Sequence, residues 1–178
     1  RSDQDKREYA ESLKEKRTSA VSAQAQRKSA AIVARGQAKE RLREAPAAIA
    51  AWNAMREGGT DSLGLRVEAE AKYEAMANQQ LRMAEIDLFD LGQPLTALEE
   101  FQQVLTRFPG SLQSARAAFG IAYVYDHELR DRERAHAAYA TVAHEYAGTP
   151  QAREAQAILD GWAAPGAEGE VREPSSPP

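Results

Sequence analysis

The chain has 178 residues, no cysteine and a formal net charge of −4 at neutral pH. This length allows one ordinary domain with tails, and the lack of cysteine excludes disulfide frameworks and thiolate metal sites. No apolar run approaches the roughly 20 residues that a membrane-spanning helix needs. The chain begins at Arg1 rather than at Met, so we expect either a processed or a truncated product.

The charge is divided unevenly along the chain. Residues 1–44 carry 12 Lys and Arg against 7 Asp and Glu, a net +5, whereas residues 45–178 carry 11 against 20, a net −9. A basic segment joined to an acidic body can seek phosphate or anionic lipid, or it can simply solvate a helix, which is the interpretation we favour. The basic residues considered for such contacts are Arg17, Arg27, Lys28, Arg35 and Lys39.

Helices are predicted throughout, because Ala, Glu, Arg and Gln are abundant whereas strand formers are scarce. Residues 1–45 should form a long, exposed, basic helical arm, since their apolar stripe is thin and no heptad persists. Pro46 then opens a short helix, and residues 46–74 should cap the fold on its N-terminal side. Further helices are predicted at residues 65–91, 94–107, 111–129, 131–146 and 149–162, with Thr60 or Asp61, Ser111, Asp131 and Thr149 as N-caps.

The remaining residues, 163–178, combine Pro, Gly, Ser and Glu with little apolar mass. Such a segment does not bury enough apolar surface to offset its ordering entropy. We therefore expect a disordered tail.

A repeat of 38 residues relates the second half of the chain to itself. The segment "LTRFPGSLQS" (residues 105–114) returns in modified form as "AHEYAGTPQA" (residues 143–152). The same shift superimposes Ala97 on Ala135, Phe101 on Tyr139, Val104 on Val142, Phe108 on Tyr146 and Gly110 on Gly148. Self-similarity at this period predicts stacked pairs of antiparallel helices.

The spacing of Ala97, Phe101, Val104 and Pro109 resembles the second-helix signature of tetratricopeptide repeats. The 38-residue shift repeats that spacing, with an alanine, Ala147, in the place of the loop proline. The resemblance covers residues 75–162, as two repeats plus a C-terminal capping helix. It implies an all-α stack of antiparallel helical hairpins.

The first helix of the second pair adds Phe119-Gly120 and Tyr123, which are similar to the family's apolar-Gly pair and following aromatic. Three features depart from the common pattern: a period longer than about 34 residues, arginines where Trp (Arg116) and Gly (Arg82) would fall, and Ala147 in place of the loop proline. The type is therefore divergent. The segments "FPGSLQSARAA" (residues 108–118) and "YAGTPQAREAQ" (residues 146–156), which join the helical pairs, resemble segments of bacterial cell-envelope proteins.

In proteins of this family the first helices line a groove for a peptide or a partner helix. By register from Gly120, the resemblance implies a groove lined by Ala117, Ile121, Val124 and Tyr125, and the 38-residue shift adds Gln79, Met83, Ile86 and Asp87. The alternative is that these residues belong to the core and are covered by the chain's own arm.

No catalytic constellation accompanies this pattern. The histidines, His127, His136 and His144, lack metal-ligand spacing, and no phosphate-binding loop or nucleophile with a base is present. We expect no enzymatic activity, no metal and no cofactor.

These observations predict a non-enzymatic protein–protein interaction scaffold in a bacterial envelope complex, either periplasmic or membrane-associated. A cytoplasmic location is the alternative. The competing function is a structural accessory subunit of a large membrane-associated assembly, held through the basic arm, in which an oligomer is plausible. A weak contact with an anionic membrane fits that arm, whereas nucleic acid is less favoured because the arm offers only Tyr9 as an aromatic.

Overall fold

The computed structural model describes residues 3–58 and 62–163, and every regular element among them is helical, as the composition predicts. No strand occurs in these two stretches. The helices are α1 (Asp3–Arg41), α2 (Ala45–Arg56), α3 (Leu63–Glu85), α4 (Pro94–Arg107), α5 (Ser114–Tyr123), α6 (Arg132–Glu145) and α7 (Pro150–Ala163). In the part of the chain that the structure describes, no helix is both long and apolar enough to span a bilayer.

Short segments connect these helices. A 3₁₀ turn, Leu42–Glu44, joins α1 to α2, and α3 and α5 each continue into a five-residue π-helical turn, Ile86–Asp90 and Val124–Glu128. The predicted tail begins at residue 163, but Ala163 still belongs to α7. The rest of that tail and the caps Thr60 and Asp61 lie outside the described residues.

Consecutive helices pack against each other from α2 through α7, and α5 also contacts α7. The connections after α3, α4, α5 and α6 are short, so the chain turns back at each one. Helix α1 lies against α3 and the π-helical turn that follows it. The resulting body buries three neighbouring apolar clusters along the row of helices.

The backbone repeats at the same 38-residue shift as the sequence. Helices α4 and α6 both have 14 residues, and the two π-helical turns occupy equivalent positions. The amides of Leu91 and Leu129 each donate to the carbonyl five residues earlier, at 3.0 Å in both cases. After them, Gly92 and Arg130 both adopt a positive φ, 66° and 54°.

Two of the predicted N-caps are confirmed and one is wrong. Asp131 Oδ1 accepts from the amide of Arg134 at 3.0 Å, and Thr149 Oγ1 accepts from the amide of Ala152 at 3.1 Å. Ser111 does not cap α5, which begins three residues later at Ser114. The Ser111 amide donates a hydrogen bond to the Phe108 carbonyl, and the residue is buried. Ser111 therefore belongs to a turn before the helix.

The arm also differs from the expectation of a fully exposed helix. Helix α1 is largely exposed through Ala30, but Ala31, Ala38 and Leu42 are buried. Ala38 and Leu42 share an apolar cluster with Tyr73, which lies on α3. The small side chain of Ala38 allows α1 to approach α3 closely, and the last third of the arm is therefore part of the body.

Candidate partner-binding groove

Most of the residues that the sequence assigns to a groove lie inside the bundle. The buried ones are Met83, Ile86, Asp87, Ala117 and Val124, and the half-buried ones are Gln79, Ile121 and Tyr125. On α3 the covering element is α1, because Met83 packs in the same cluster as Ala38 and Leu42. On α5, Ala117 and Val124 pack into the cluster shared with α3 and α4. These eight residues are not brought together as an open surface.

The residues proposed for a basic arm divide into two groups. Arg17, Arg27 and Lys28 are exposed on the part of α1 before the body, and Lys39 is exposed beside the body. Arg35 is different, since its guanidinium contacts two acidic side chains of the body. The arm therefore has free basic residues and one that fixes its position.

A polar network surrounds Arg35. Its Nε donates to Asp87 Oδ1 at 2.6 Å and its Nη2 to Glu100 Oε1 at 3.1 Å. The Gln80 side-chain amide donates to Glu100, and its Oε1 accepts from Arg107 at 2.8 Å. The network links α1, α3 and α4.

Arg35 and Glu100 have raised pKa values in this network. The hydrogen bond with Asp87 is the main cause that raises the pKa of Arg35. Burial is the main cause that raises the pKa of Glu100, and the nearby positive charge of Arg35 opposes it. These interactions occur where α1 attaches to the body, so we interpret the network as an anchor for that helix.

An open groove lies on another face, where α3, α5 and α7 are neighbours. It consists of two adjoining clefts of about 310 and 520 Å³ that share Phe119, Tyr123 and Glu154. The first cleft is also lined by Glu85, Leu88, Phe89, Phe101, Arg116, Gly120 and Gln151, and the second by Asp126, His127, Tyr139, Ala157, Ile158, Gly161 and Trp162. We call the two clefts together the aromatic groove.

Aromatic side chains follow one another along the aromatic groove. Phe89 is 65% exposed and packs edge-on against Tyr123, with ring centroids 5.8 Å apart. Tyr123 in turn stacks on His127 at 4.2 Å. Phe119, Tyr123 and His127 follow one another at four-residue spacing, which places them on one side of α5 and its continuation. Phe89 and His127 are exposed and Phe119 and Tyr123 are half-buried, and rings in such a row provide a large apolar contact area.

The floor of the aromatic groove depends on a glycine. A Cβ atom at Gly120 would lie 2.6 Å from the ring of Phe101, which is buried between α4 and α5. The absence of a side chain therefore lets the two helices approach each other.

The second cleft has a buried tyrosine among its lining residues. The ring of Tyr139 packs edge-on against Phe119 at 5.5 Å and against Trp162 at 5.7 Å. Its hydroxyl is buried and has no hydrogen-bond partner among the described residues. Burial, followed by the negative charges of Asp126 and Glu154, raises the pKa of Tyr139, so the hydroxyl stays protonated at neutral pH.

The charged residues of the aromatic groove are mainly acidic. Glu85 and Arg116 form an ion pair at 2.6 Å between α3 and α5, so these two charges compensate each other. Asp126 lies 3.4 Å from Nδ1 of His127. Glu154 has no ion-pair partner within the described stretches. The second cleft is therefore aromatic on its walls and negative at Asp126 and Glu154.

The sequence contains a pattern that indicates this groove, but alignment to the tetratricopeptide register at Gly120 pointed to other residues. Phe119, Tyr123 and His127 are spaced by four, and the 38-residue shift relates His127 to Phe89. Counting from Gly120 instead selected Ala117, Ile121 and Val124, which lie toward α3 and α4. Helix α5 thus has two apolar faces, and only the packing of its neighbours decides which one is open.

Within residues 3–58 and 62–163, no three His, Asp or Glu side chains converge as a metal ion would require. Neither a protein-family model, nor a curated protein, nor a solved structure matches the chain.

Proposed function

We propose that the chain is a non-enzymatic protein–protein interaction scaffold that holds a segment of a partner protein in the aromatic groove. The observation that carries this proposal is the aromatic row of exposed Phe89, half-buried Tyr123 and exposed His127 at the ends of α3 and α5. Contiguous exposed apolar surface of this kind marks interaction sites in soluble proteins. Aromatic rings are also enriched among the residues that dominate binding energy at interfaces.

In this proposal the helices form tetratricopeptide-like hairpins, with α3–α4 and α5–α6 as two repeats and α7 as a capping helix. Equal lengths of α4 and α6 and the matching π-helical turns support an arrangement in repeated units. The close contact of Gly120 with Phe101 supports the role of a small residue between neighbouring helices. The groove then runs across the first helix of each unit.

The segments that join the helical pairs, residues 108–118 and 146–156, resemble segments of bacterial cell-envelope proteins. This resemblance supports a place in a bacterial envelope complex, periplasmic or membrane-associated.

A separate observation favours a second function, that of a structural subunit. Residues 3–30 of α1 extend about 40 Å at the usual rise per residue and are largely exposed. A structural subunit held in an assembly through this basic segment would use α1 and leave the aromatic groove free.

Selection of peptides from a displayed random library tests the scaffold function. We expect wild-type protein to enrich peptides that bind at least about fivefold more weakly to Phe89→Gln, because one exposed hot-spot ring contributes about 1 kcal/mol or more. Leu112→Gln is the matched control, since Leu112 is also highly exposed but lies outside the groove. If no peptides are enriched, or if the two variants bind them equally, the proposal is wrong.

A further inference from the structure

The second cleft of the aromatic groove combines two features that favour a cation. Phe119, Tyr123 and Trp162 contribute aromatic rings, whose faces attract Arg and Lys side chains, and the ring of Tyr139 is buried against two of them. Asp126 and Glu154 contribute negative charge to the same cleft. The influence of both carboxylates on the pKa of Tyr139 agrees with their position around this ring.

Among the described residues, no Lys or Arg lines this cleft, although Arg132 stacks on the Trp162 ring at its edge. The only basic side chain in its described lining is that of His127. Glu154 lines both clefts and forms no ion pair with a described residue. The negative charge is therefore available to a group that comes from outside.

The chain shows that one of these rings accepts a guanidinium. The Cζ atom of Arg132, on α6, lies 4.1 Å from the centroid of the Trp162 ring. By contrast, the described chain places no Arg over Phe119 or Tyr123. Both rings line both clefts and are half-buried. His127 stacks on one face of Tyr123, and the remaining surface of the two rings is open to a second cation.

We infer that the second cleft binds the guanidinium or ammonium group of an Arg or Lys side chain in a partner segment. The inference rests on the proposed function and specifies its partner: a basic residue enters beside Asp126 and Glu154, and an apolar residue follows in the first cleft beside Leu88 and Phe89. Charge complementarity supports this partner, because residues 45–178 have a net charge of −9. Arg suits the cleft best, since its planar group both stacks on rings and pairs with carboxylates.

A small arginine compound tests the inference directly. N-acetyl-arginine methylamide is titrated into the isotope-labelled chain and compared with the citrulline analogue, which has nearly the same shape but no charge. We expect a saturable shift of the Trp162 indole resonance with the arginine compound and a clearly weaker one with citrulline. Trp52 is an internal control, because its indole lies in the cluster near α1. Equal effects of the two compounds, or none at Trp162, overturn the inference.

Variants identify the charges that matter. Glu154→Gln and Asp126→Asn should each weaken binding of the arginine compound by about threefold, as expected for a partly exposed ion pair. Glu145→Gln, on α6 and exposed, is the matched control and should leave binding unchanged. Unchanged binding in both groove variants contradicts the inference.

The same variants separate this inference from the scaffold function. If the selected peptides depend on Phe89 but lack Arg and Lys, and bind Glu154→Gln as tightly as wild type, the inference is wrong and the scaffold function stands. An absence of peptides that depend on Phe89 would instead remove the scaffold function.

A second copy of the chain is the competing occupant, because its exposed Arg27 and Lys28 are also basic. Sedimentation from low to high micromolar concentration should show a monomer. Self-association that Glu154→Gln abolishes would assign the cleft to a second copy and overturn a separate partner.

Discussion

The guanidinium of Arg35 donates a hydrogen bond of 2.6 Å to Asp87, a carboxylate that is fully buried and 52 residues further along the chain. A buried carboxylate is costly unless a positive charge or hydrogen-bond donors compensate it. Arg35 supplies that compensation from α1, while Ala38 and Leu42 add apolar contacts one and two turns later. The position of α1 on the body is thus set by a specific charge pair and a small apolar surface.

Replacement of Arg35 tests this attachment. We expect Arg35→Leu to lower the free energy of unfolding by about 3 kcal/mol, because Asp87 would be left buried without its cation. Amides of residues 31–42 should then exchange hydrogen faster. The control is Arg27→Leu on the exposed part of α1, which should change the free energy of unfolding by less than about 0.5 kcal/mol. Equal results for the two variants, measured by urea unfolding, contradict the anchor.

The raised pKa of Glu100 predicts a pH dependence. Its folded-state pKa lies above the unfolded value of about 4.3, mainly because of burial. The native state therefore holds this proton more tightly, so the contribution of Glu100 to stability is fully present below the unfolded pKa. It is lost as the pH rises through the folded pKa.

Glu100→Gln removes this titration. We expect the variant to gain stability relative to wild type as the pH rises from about 4 to 7, measured by urea unfolding at each pH. Glu99→Gln, on the exposed side of α4, should show no such trend. A stability difference for Glu100→Gln that stays constant over this range would be inconsistent with the burial of the carboxyl group.

Two glycine substitutions should have opposite effects. Gly120→Ala places a Cβ atom 2.6 Å from the Phe101 ring, so we expect a loss of about 1–3 kcal/mol from overpacking. Gly36→Ala, within α1, meets nothing within 4 Å and should gain about 0.5–1 kcal/mol from helix propensity. Thermal denaturation measures both, and a Gly120→Ala protein as stable as wild type would show that the helices do not need this close contact.

The N-caps of α4 and α6, at equivalent positions of the repeat, differ. Asp131 accepts a hydrogen bond from the Arg134 amide, whereas Gln93, which is 38 residues earlier, makes no side-chain cap to α4. Asp131→Ala should therefore cost about 1 kcal/mol, and Gln93→Ala should be nearly neutral. Chemical denaturation of the two variants gives the comparison, and equal losses would mean that the cap of α6 contributes nothing specific.

The sequence predicts the helices well because their signals are local. Pro94, Asp131 and Thr149-Pro150 mark helix starts through capping and a fixed φ, and α4, α6 and α7 begin within a residue of the predicted positions. Ser111 fails as a cap because the turn after Phe108 is longer than the pattern suggests.

The site is predicted less well because it depends on contacts between distant residues. Nothing near Arg35 in the sequence indicates a partner at Asp87, so the cover that α1 provides over Met83 and Asp87 has no local signal. The open side of α5 is equally non-local, because its two apolar faces are distinguished only by the positions of α3, α4 and α7. The four-residue spacing of Phe119, Tyr123 and His127 could have indicated the second face.

The most direct test of the central claim is position-specific photo-crosslinking in cells that produce the chain. A photoreactive phenylalanine derivative is placed at Phe89 in the aromatic groove, at Leu112 outside it, or at Val21 on the exposed part of α1, all of them exposed positions. A scaffold that holds its partner in the groove predicts a discrete adduct from position 89 and none from position 112 or 21. An adduct from position 21 with none from position 89 would contradict the account and favour a subunit held through α1.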